Sequence, residues 1–523
     1  MRSVVLSGFM GVGKSTVAPL VARRLGLPLV DTDAELERTT GTKVRDLLVR
    51  EGEVAFRQRE ADLVIPLLEE DVARVFAFGG GTVTSDRVRR LAVDRAIVVT
   101  LTASAETIVS RVRDLAARPN LNVGDPMSRT RELLARRAAA YAECHLTVST
   151  DIVGRDHVVE TVARLVNRDP LAVPLGERSY CVDVCCGEPG RLTDAVATLD
   201  PSSIVLVMDS NVRRTRGAGI EAALAPLGRE VVRVTLAPGE VNKNLGAVST
   251  IWDAALGASV DRDAVVVAAG GGVVGDLAGF AAACLLRGVR FVQVPTTTLA
   301  MVDASVGGKT GCDHAVGKNL VGAFHQPKAV VVDLAHLQTL PERERRAGLA
   351  EVVKIAVATD AALLGELEKS ASEIAKGEPG ALASIIRAAI RAKALVVRDD
   401  EREAGVRGVL NLGHTAGHAL EAHAGYTRWL HGEAVSLGLL AEMRATTSLG
   451  WTPAGLVGRV RRLLESLGLP TEVDREELAA AWPYVFADKK RARGAVKLPV
   501  VRGDGRASVV QVGFEELRNA MLW

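Results

Sequence analysis

Residues 3–16 constrain the fold more tightly than any other stretch. The apolar run Val4-Val5-Leu6 leads straight into Gly8-Phe9-Met10-Gly11-Val12-Gly13-Lys14-Ser15, and helical periodicity follows. A strand, a glycine-rich turn and a helix in that order make a phosphate cradle. The glycines let the backbone fold tightly, so that successive N–H groups and the helix N-terminus face a polyphosphate. Lys14 is placed to reach the β- and γ-phosphates, and Ser15 to give an oxygen to Mg²⁺. Gly11, Val12, Gly13 and Thr16 complete the candidate nucleotide loop. The ordinary alternative is a glycine turn with a chance Lys-Ser pair. The surrounding pattern favours the cradle, because 3–7, 27–30, 74–78 and 96–101 read as strands with amphipathic helices between them, a compact α/β unit with a parallel sheet.

The cradle accounts for only part of the chain. A length of 523 residues predicts three or four domains. Formal charge is +2, so no strong field draws the protein to nucleic acid or an anionic membrane. Apolar residues make up 48 %, and 50 glycines are spread without a triplet period, which excludes disordered and collagen-like classes. Six cysteines without paired C-x-x-C spacing form neither a disulfide framework nor a zinc cluster, and read as reduced thiols. The opening residues do not resemble an export signal, and a cytoplasmic protein is expected. Ala264–Leu286 imitates a membrane span with its single charge, Asp276, but holds five glycines, each weakening a helix by ~1 kcal/mol. A buried strand, a turn and a helix explain it better.

Asn167–Arg178 carries two prolines and mixed charge without periodicity, which suits a linker. The expected layout is therefore a phosphate-binding domain at 1–168, a linker at 169–178, a second α/β domain at 179–340 and a mostly α-helical domain at 341–523. In the second α/β domain, strands are read at Ile204–Met208, Glu230–Leu236, Ala264–Ala269, Arg290–Val294 and Ala329–Val332.

The phosphate acceptor must be read from residues outside the loop. Asp31-Thr32-Asp33 ends the second strand, at the sheet edge where ligands collect. Arg57, the run Gly79-Gly80-Gly81, Arg118 before Pro119, and Arg137 four residues before Tyr141 follow. Singly, Asp33 is equally well a helix cap, the glycines a turn, and Arg57 and Arg137 solvated charges. Together, over residues 1–165, they resemble shikimate kinase. The resemblance implies that Asp31 acts through water on Mg²⁺ beside Ser15, and that Asp33, Arg57, Gly79, Gly80, Gly81 and Arg137 bind shikimate. It also makes Lys14, Asp33 and Arg118 catalytic, with Arg118 on a lid at 112–126 and Arg111 near the adenine. Two guanidiniums suit the acceptor's carboxylate, and Asp33 can take the 3-hydroxyl proton. The lid reads RPNLNVGDP where the family more usually has RPLL.

A second chemistry begins at Gly270-Gly271-Gly272-Val273-Val274-Gly275-Asp276, a moderate dinucleotide signal between strand and helix. A pyrophosphate fits the glycine turn, and Asp209 suits a ribose hydroxyl. Lys309 and Lys318-Asn319 lie in glycine-rich loops suited to gripping a phosphate. Glu351 and Lys354 lie one turn apart on a helix, His414 and His418 share a helix face, and His431 follows. Four of the nine histidines fall between 414 and 431. One carboxylate and two imidazoles make a catalytic divalent-metal set, for which zinc is the natural expectation; core and capping histidines are the ordinary alternative.

The segments GGGVVGDLAGF, VPTTTLAMVDASVGGKTGCDH, GKNLVGAFHQP, LAEVVKIA, NLGHTAGHALE, HGEAV and ADKK resemble 3-dehydroquinate synthase across about 178–500. The resemblance implies NAD⁺ at Asp209, Glu240, Lys243, Gly271, Gly272, Val273, Asp276, Thr296, Thr297, Lys309 and Lys318. It implies Zn²⁺ or Co²⁺ on Glu351, His414 and His431. The substrate, a heptulosonate phosphate, is assigned Asp303, Lys309, Lys318, Asn319, Lys354, Lys393, Arg407, Asn411, His418 and Lys489 or Lys490. Arg287 is expected to reach it across a homodimer interface, and Lys309, Lys354 and His418 are expected to be catalytic.

The expectation is thus a bifunctional enzyme of aromatic-precursor biosynthesis: a P-loop three-layer α/β kinase, then a Rossmann-like NAD domain and a helical metal domain. Rivals are a different sugar-phosphate cyclase or a metal-dependent polyol dehydrogenase in the second half, and a non-catalytic nucleotide sensor in the first.

Overall fold

The computed structural model describes residues 1–112, 124–489 and 495–522, which form two compact units divided after Asp183. Arg118 and Lys490 lie outside the described residues. Among the described residues, no helix is long and apolar enough to cross a membrane.

In the first unit, five strands run parallel: β1 (Ser3–Gly8), β2 (Leu29–Asp31), β3 (Val75–Ala77), β4 (Ala96–Thr102) and β5 (Leu146–Ser149), in the order β2-β3-β1-β4-β5. Val4, Val5, Leu6, Phe76, Ile97 and Val98 lie buried in its core, as a sheet covered on both faces requires. The C-terminal ends of β1, β2 and β3 deliver Gly8, Asp31 and the glycine run after Ala77 to one edge.

The chain then forms a short antiparallel pair, β6 (Leu171–Val173) with β7 (Tyr180–Cys185), and the division between units falls inside β7. In the second unit come β8 (Ser203–Asp209), β9 (Glu230–Leu236), β10 (Val265–Gly270) and β11 (Arg290–Pro295), then the hairpin β12 (Lys309–His314) and β13 (Gly317–Phe324), then β14 (Ala329–Asp333). Five of these run parallel in the order β14-β11-β10-β8-β9. Alternation divides their side chains between two cores. Val205, Val207, Val266 and Ala268 pack on one face, and Ile204, Leu206, Val265 and Val267 on the other. The segment read as a false membrane span is accordingly β10, the glycine turn and the helix Gly272–Cys284.

From Glu342 onward helices dominate, as expected, but β15 (Ala495–Gly503) and β16 (Arg506–Gly513) add an antiparallel hairpin that the helical periodicity did not suggest. The β12–β13 hairpin was likewise not anticipated, and it carries Lys309, Lys318 and Asn319.

Candidate active sites

At the first site, the helix Lys14–Leu25 starts at Gly13 with no side-chain cap and no acid in its first turn. That leaves its N-terminal donors suited to an anion. Lys14 is buried and donates from Nζ to the carbonyls of Gly8 (2.7 Å) and Phe9 (2.8 Å), so the loop holds its own ammonium in place. Ser15 and Thr16 stand exposed at the helix start. Asp31 Oδ1 accepts from the Asp33 and Ala34 amides at 3.1 Å, so one oxygen of Asp31 caps the next helix. Arg111 is exposed and donates to Thr150 Oγ1 (2.9 Å) and its carbonyl (3.0 Å).

The acceptor residues converge on the glycine run. A Cβ on Gly79 would lie 2.6 Å from Asp33 Oδ1 and 2.8 Å from Glu60 Oε1, so two carboxylates flank that backbone. A Cβ on Gly81 would lie 2.0 Å from the Arg57 guanidinium, a close approach that only glycine permits. Arg137 is buried and donates to the Gly80 carbonyl (3.0 Å), as does the Tyr141 hydroxyl. Arg57 pairs with Glu60, which also accepts from Thr82 Oγ1 (2.7 Å), and both Arg57 and Arg137 donate to Glu53 Oε1. Sequence reasoning did not single out Glu53 or Thr82, and it included Glu60 only as the last residue of the FRQRE motif, with no role. The spacing of Glu60, three positions beyond Arg57, was the available signal.

The second unit holds a cavity of about 1150 Å³. It is lined by every residue expected to contact NAD and, among the described side chains, by every expected substrate residue except Arg287. Arg287 is exposed, on the short turn Leu285–Arg287, and does not line this cavity. Lys489 ends the helix Arg475–Lys489.

One part of the cavity carries the glycine-rich helix start at which a dinucleotide was expected. The helix Gly272–Cys284 begins at Gly271 with neither a side-chain cap nor an acid in its first turn. A Cβ on Gly271 would press on Thr297 at 3.2 Å. Asp209 Oδ1 caps its own helix through Asn211 N (2.8 Å) and Val212 N (3.0 Å). Lys243 Nζ meets Asn319 Oδ1 (2.6 Å) and Asp276 (2.7 Å), and burial pushes the Asp276 carboxyl up.

Another part of the cavity gathers cations. Lys393 pairs with Asp303, Lys309 with Glu403, and Lys354 with Glu351, while Asn411 donates to Glu403 (2.5 Å). Arg407 is buried and donates to the Gly307 carbonyl (3.1 Å). Burial, with repulsion from Arg407 and Lys354 and against the attraction of Asp303, brings Lys393 down to about 8.

The candidate metal centre opens on the same cavity through His414 and His431. Glu351, on the helix Leu349–Thr359, is fully buried, and neither carboxylate oxygen accepts a well-formed hydrogen bond. His414 Nε2 and His431 Nε2 face its Oε1 at 3.6 and 3.5 Å. Two ligands at ~2.1 Å on a tetrahedral ion are themselves about 3.3 Å apart, so this spacing leaves room for a cation. The far ring nitrogens are fixed: His414 Nδ1 lies 3.2 Å from the Leu412 carbonyl, and His431 Nδ1 lies 3.0 Å from Glu421 Oε2. Such outer partners hold ligating imidazoles in orientation. Burial lowers the basicity of His431, but the facing carboxylates of Glu351 and Glu421 outweigh it and raise the ring to about 10. Glu351 is brought to about 2, where Lys354 overcomes the opposing effect of burial. His418 also places a nitrogen within 4.8 Å of those of His414 and His431. Glu442 Oε2 and Oε1, from the neighbouring helix His431–Ser448, accept from the Gly413 (2.8 Å) and Ala416 (3.0 Å) amides, which pins the start of the helix that carries two of these rings.

Fold and sites define two enzyme classes in tandem, a P-loop kinase followed by a Rossmann-like nucleotide domain with a helical metal-site domain. Family models match for shikimate kinase at residues 10–167, for the 3-dehydroquinate synthase N-terminal domain at 233–347 and for its C-terminal domain at 348–491. The chain belongs to the shikimate kinase family in its first part and to the 3-dehydroquinate synthase family in its second. Among solved structures it is 30 % identical to the 2-epi-5-epi-valiolone synthase ValA from Streptomyces hygroscopicus subsp. jinggangensis 5008, bound to NAD⁺ and Zn²⁺. That match covers 66 % of this chain and 96 % of ValA, with a TM-score of 0.59. A 2-deoxy-scyllo-inosose synthase complexed with carbaglucose-6-phosphate, NAD⁺ and Co²⁺ is 23 % identical over 68 % of this chain and 99 % of its own, at the same TM-score. A shikimate kinase from Acinetobacter baumannii in complex with shikimate is 34 % identical over 32 % of this chain and 94 % of its own, with a TM-score of 0.31.

Proposed function

We propose that residues 1–168 phosphorylate shikimate to shikimate 3-phosphate with ATP. In the same reading, residues 179–340 and 341–523 together cyclise 3-deoxy-D-arabino-heptulosonate 7-phosphate to 3-dehydroquinate with release of phosphate. What carries this reading is the convergence at each site. Arg57 and Arg137 meet over Glu53 along the glycine run that Asp33 also approaches, and one cavity joins a glycine-rich helix start, the histidine set beside Glu351 and a lysine cluster.

In the kinase, Lys14 and the amides of the uncapped helix bind the ATP phosphates. Ser15 and Asp31 would hold Mg²⁺, which neutralises phosphate charge when bound. Arg57 and Arg137 grip the acceptor carboxylate, Gly79–Gly81 bring the backbone against its ring, and Asp33 takes the proton from the 3-hydroxyl. Arg118 is assigned to the transferring phosphoryl.

In the synthase, NAD⁺ when bound supplies a hydride acceptor that is restored by the end of each cycle. Glu351, His414 and His431 would hold Zn²⁺ or Co²⁺, which when bound makes the substrate's hydroxyl more acidic. Lys318, Asn319 and Lys309 grip the phosphate until it leaves, while Lys393 and Arg407 bind the carboxylate. His418 stands beside the metal set at a distance suited to moving a proton, and Lys354 holds Glu351 ionised. The synthase region is assigned to a cytoplasmic homodimer, in which the exposed Arg287 enters the partner's cavity.

One preparation assayed for phosphate release from the heptulosonate phosphate and for ATP-dependent loss of shikimate tests both halves. Both reactions are expected, without net NADH. The 30 % identity to a 2-epi-5-epi-valiolone synthase favours a second reading, a cyclase for a different sugar phosphate. Faster turnover of such a sugar phosphate than of the heptulosonate phosphate would establish it instead.

A further inference from the structure

Arg57 has two carboxylate partners, and they differ in freedom. Glu60 is only 3 % exposed and is tied down by Thr82. Glu53 is 52 % exposed, and its Oε1 alone accepts from both Arg57 (3.3 Å) and Arg137 (3.5 Å). It follows directly on Gly52, where the helix Val44–Glu69 breaks (φ 80°, ψ 166°). A side chain leaving from this break re-enters water at little cost, whereas Glu60 has nowhere to go. Arg137 is anchored meanwhile by the Gly80 carbonyl and lies over the Phe9 ring.

Resting on the shikimate reading of this site, we propose that Glu53 is an internal stand-in for the acceptor's carboxylate. It holds the arginine pair together between turnovers, and the acceptor displaces it. Two neighbouring guanidiniums without an anion repel each other, and Glu53 relieves that repulsion. The same contact sets a threshold for entry. An acceptor whose hydroxyls also bind Asp33 and the glycine run exceeds it, and a bare carboxylate does not. Apparent affinity falls by the fraction of molecules in which the pocket is open, so removing the latch strengthens binding.

The test uses the full-length protein, Glu53→Gln and Glu53→Ala, with titration of MgATP into the same chain reporting that the first unit is folded. Calorimetric titration is run with shikimate and, separately, with benzoate, a carboxylate without hydroxyls. Both variants are expected to bind shikimate about fivefold more tightly or better, and to strengthen benzoate binding by a larger factor. A shikimate Kd unchanged or raised in either variant overturns the proposal, since Glu53 would then be a supporting group and not a competitor. Failure of the underlying reading looks different: the unaltered protein itself would bind shikimate no better than benzoate and leave it unphosphorylated.

Discussion

Asp33 and Lys393 illustrate how much one side chain can carry when its surroundings fix its state. Asp33 Oδ1 is pressed toward the Gly79 backbone, at the edge where the β- and γ-phosphates would arrive. Asp33→Asn keeps the shape and removes the base, so kcat for shikimate should fall by about 10²–10⁴ while synthase turnover stays as it was. A coupled assay for ADP on the same sample measures it. Lys393 has a pKa lowered to about 8, so it is a cation below that pH and neutral above it. Its contribution to binding an anionic substrate is therefore present at low pH and lost as pH rises through 8. The KM for the heptulosonate phosphate should climb over about pH 7 to 9.5, and Lys393→Arg, which does not titrate there, should flatten that climb. The residues proposed as ligands stood out in the sequence because their types recur at helical spacing. Their supporting acids were not, because Glu403 lies 94 positions from the lysine it pairs with and Glu421 gains meaning only once His431 folds back onto it.

At the scale of elements, the two histidine-bearing helices are packed through glycine. A Cβ on Gly438 of the helix His431–Ser448 would lie 2.1 Å from the Gly413 carbonyl, and one on Gly417 would lie 3.0 Å from that of Ala434. Backbone therefore meets backbone, and the distance between His414 and His431 is set by the absence of side chains. Gly438→Ala should push the helices apart, cost about 1–3 kcal/mol of stability and weaken divalent-metal affinity. Denaturant unfolding and competition with a chelator would read the two effects, and retention of full metal affinity would refute the link. Buried parallel strands were legible as β-branched runs, as at Val265-Val266-Val267, because both faces are apolar. The ribbon β12–β13 was not, since Lys309–His314 and Gly317–Phe324 are polar and glycine-rich without clear alternation. In β15–β16 the signal existed: Asp504-Gly505 between apolar stretches is a hairpin turn, and the helical periodicity around it obscured it.

For the whole molecule, Arg287 is the residue a single chain leaves without a role. It sits exposed at φ 70°, directly after Leu286 at φ 51°, and both values lie in the left-handed region that side chains disfavour. If it serves a partner's cavity, two defective chains can repair each other. Arg287→Ala and His414→Ala should each be inactive as synthases, and mixing them through a dissociation and reassociation cycle should restore about a quarter of normal activity, since half the dimers are then mixed and each has one intact site. No recovery on mixing would remove the shared-site reading.

Two of the uncapped helix starts, at Gly13 and Gly271, bear on the life of the protein in a cell. At Gly271 a conventional cap residue would add only a few tenths of a kcal/mol to the empty form, and at Gly13 the φ of 101° disfavours one. Glycine forgoes that stabilisation, so the donors are completed only when phosphate-bearing molecules arrive. Nucleotide and dinucleotide then act as the missing pieces of the fold, and resistance to proteolysis rises with their supply by mass action. A cell short of ATP and NAD⁺ would clear this enzyme faster, with no dedicated signal telling it to do so.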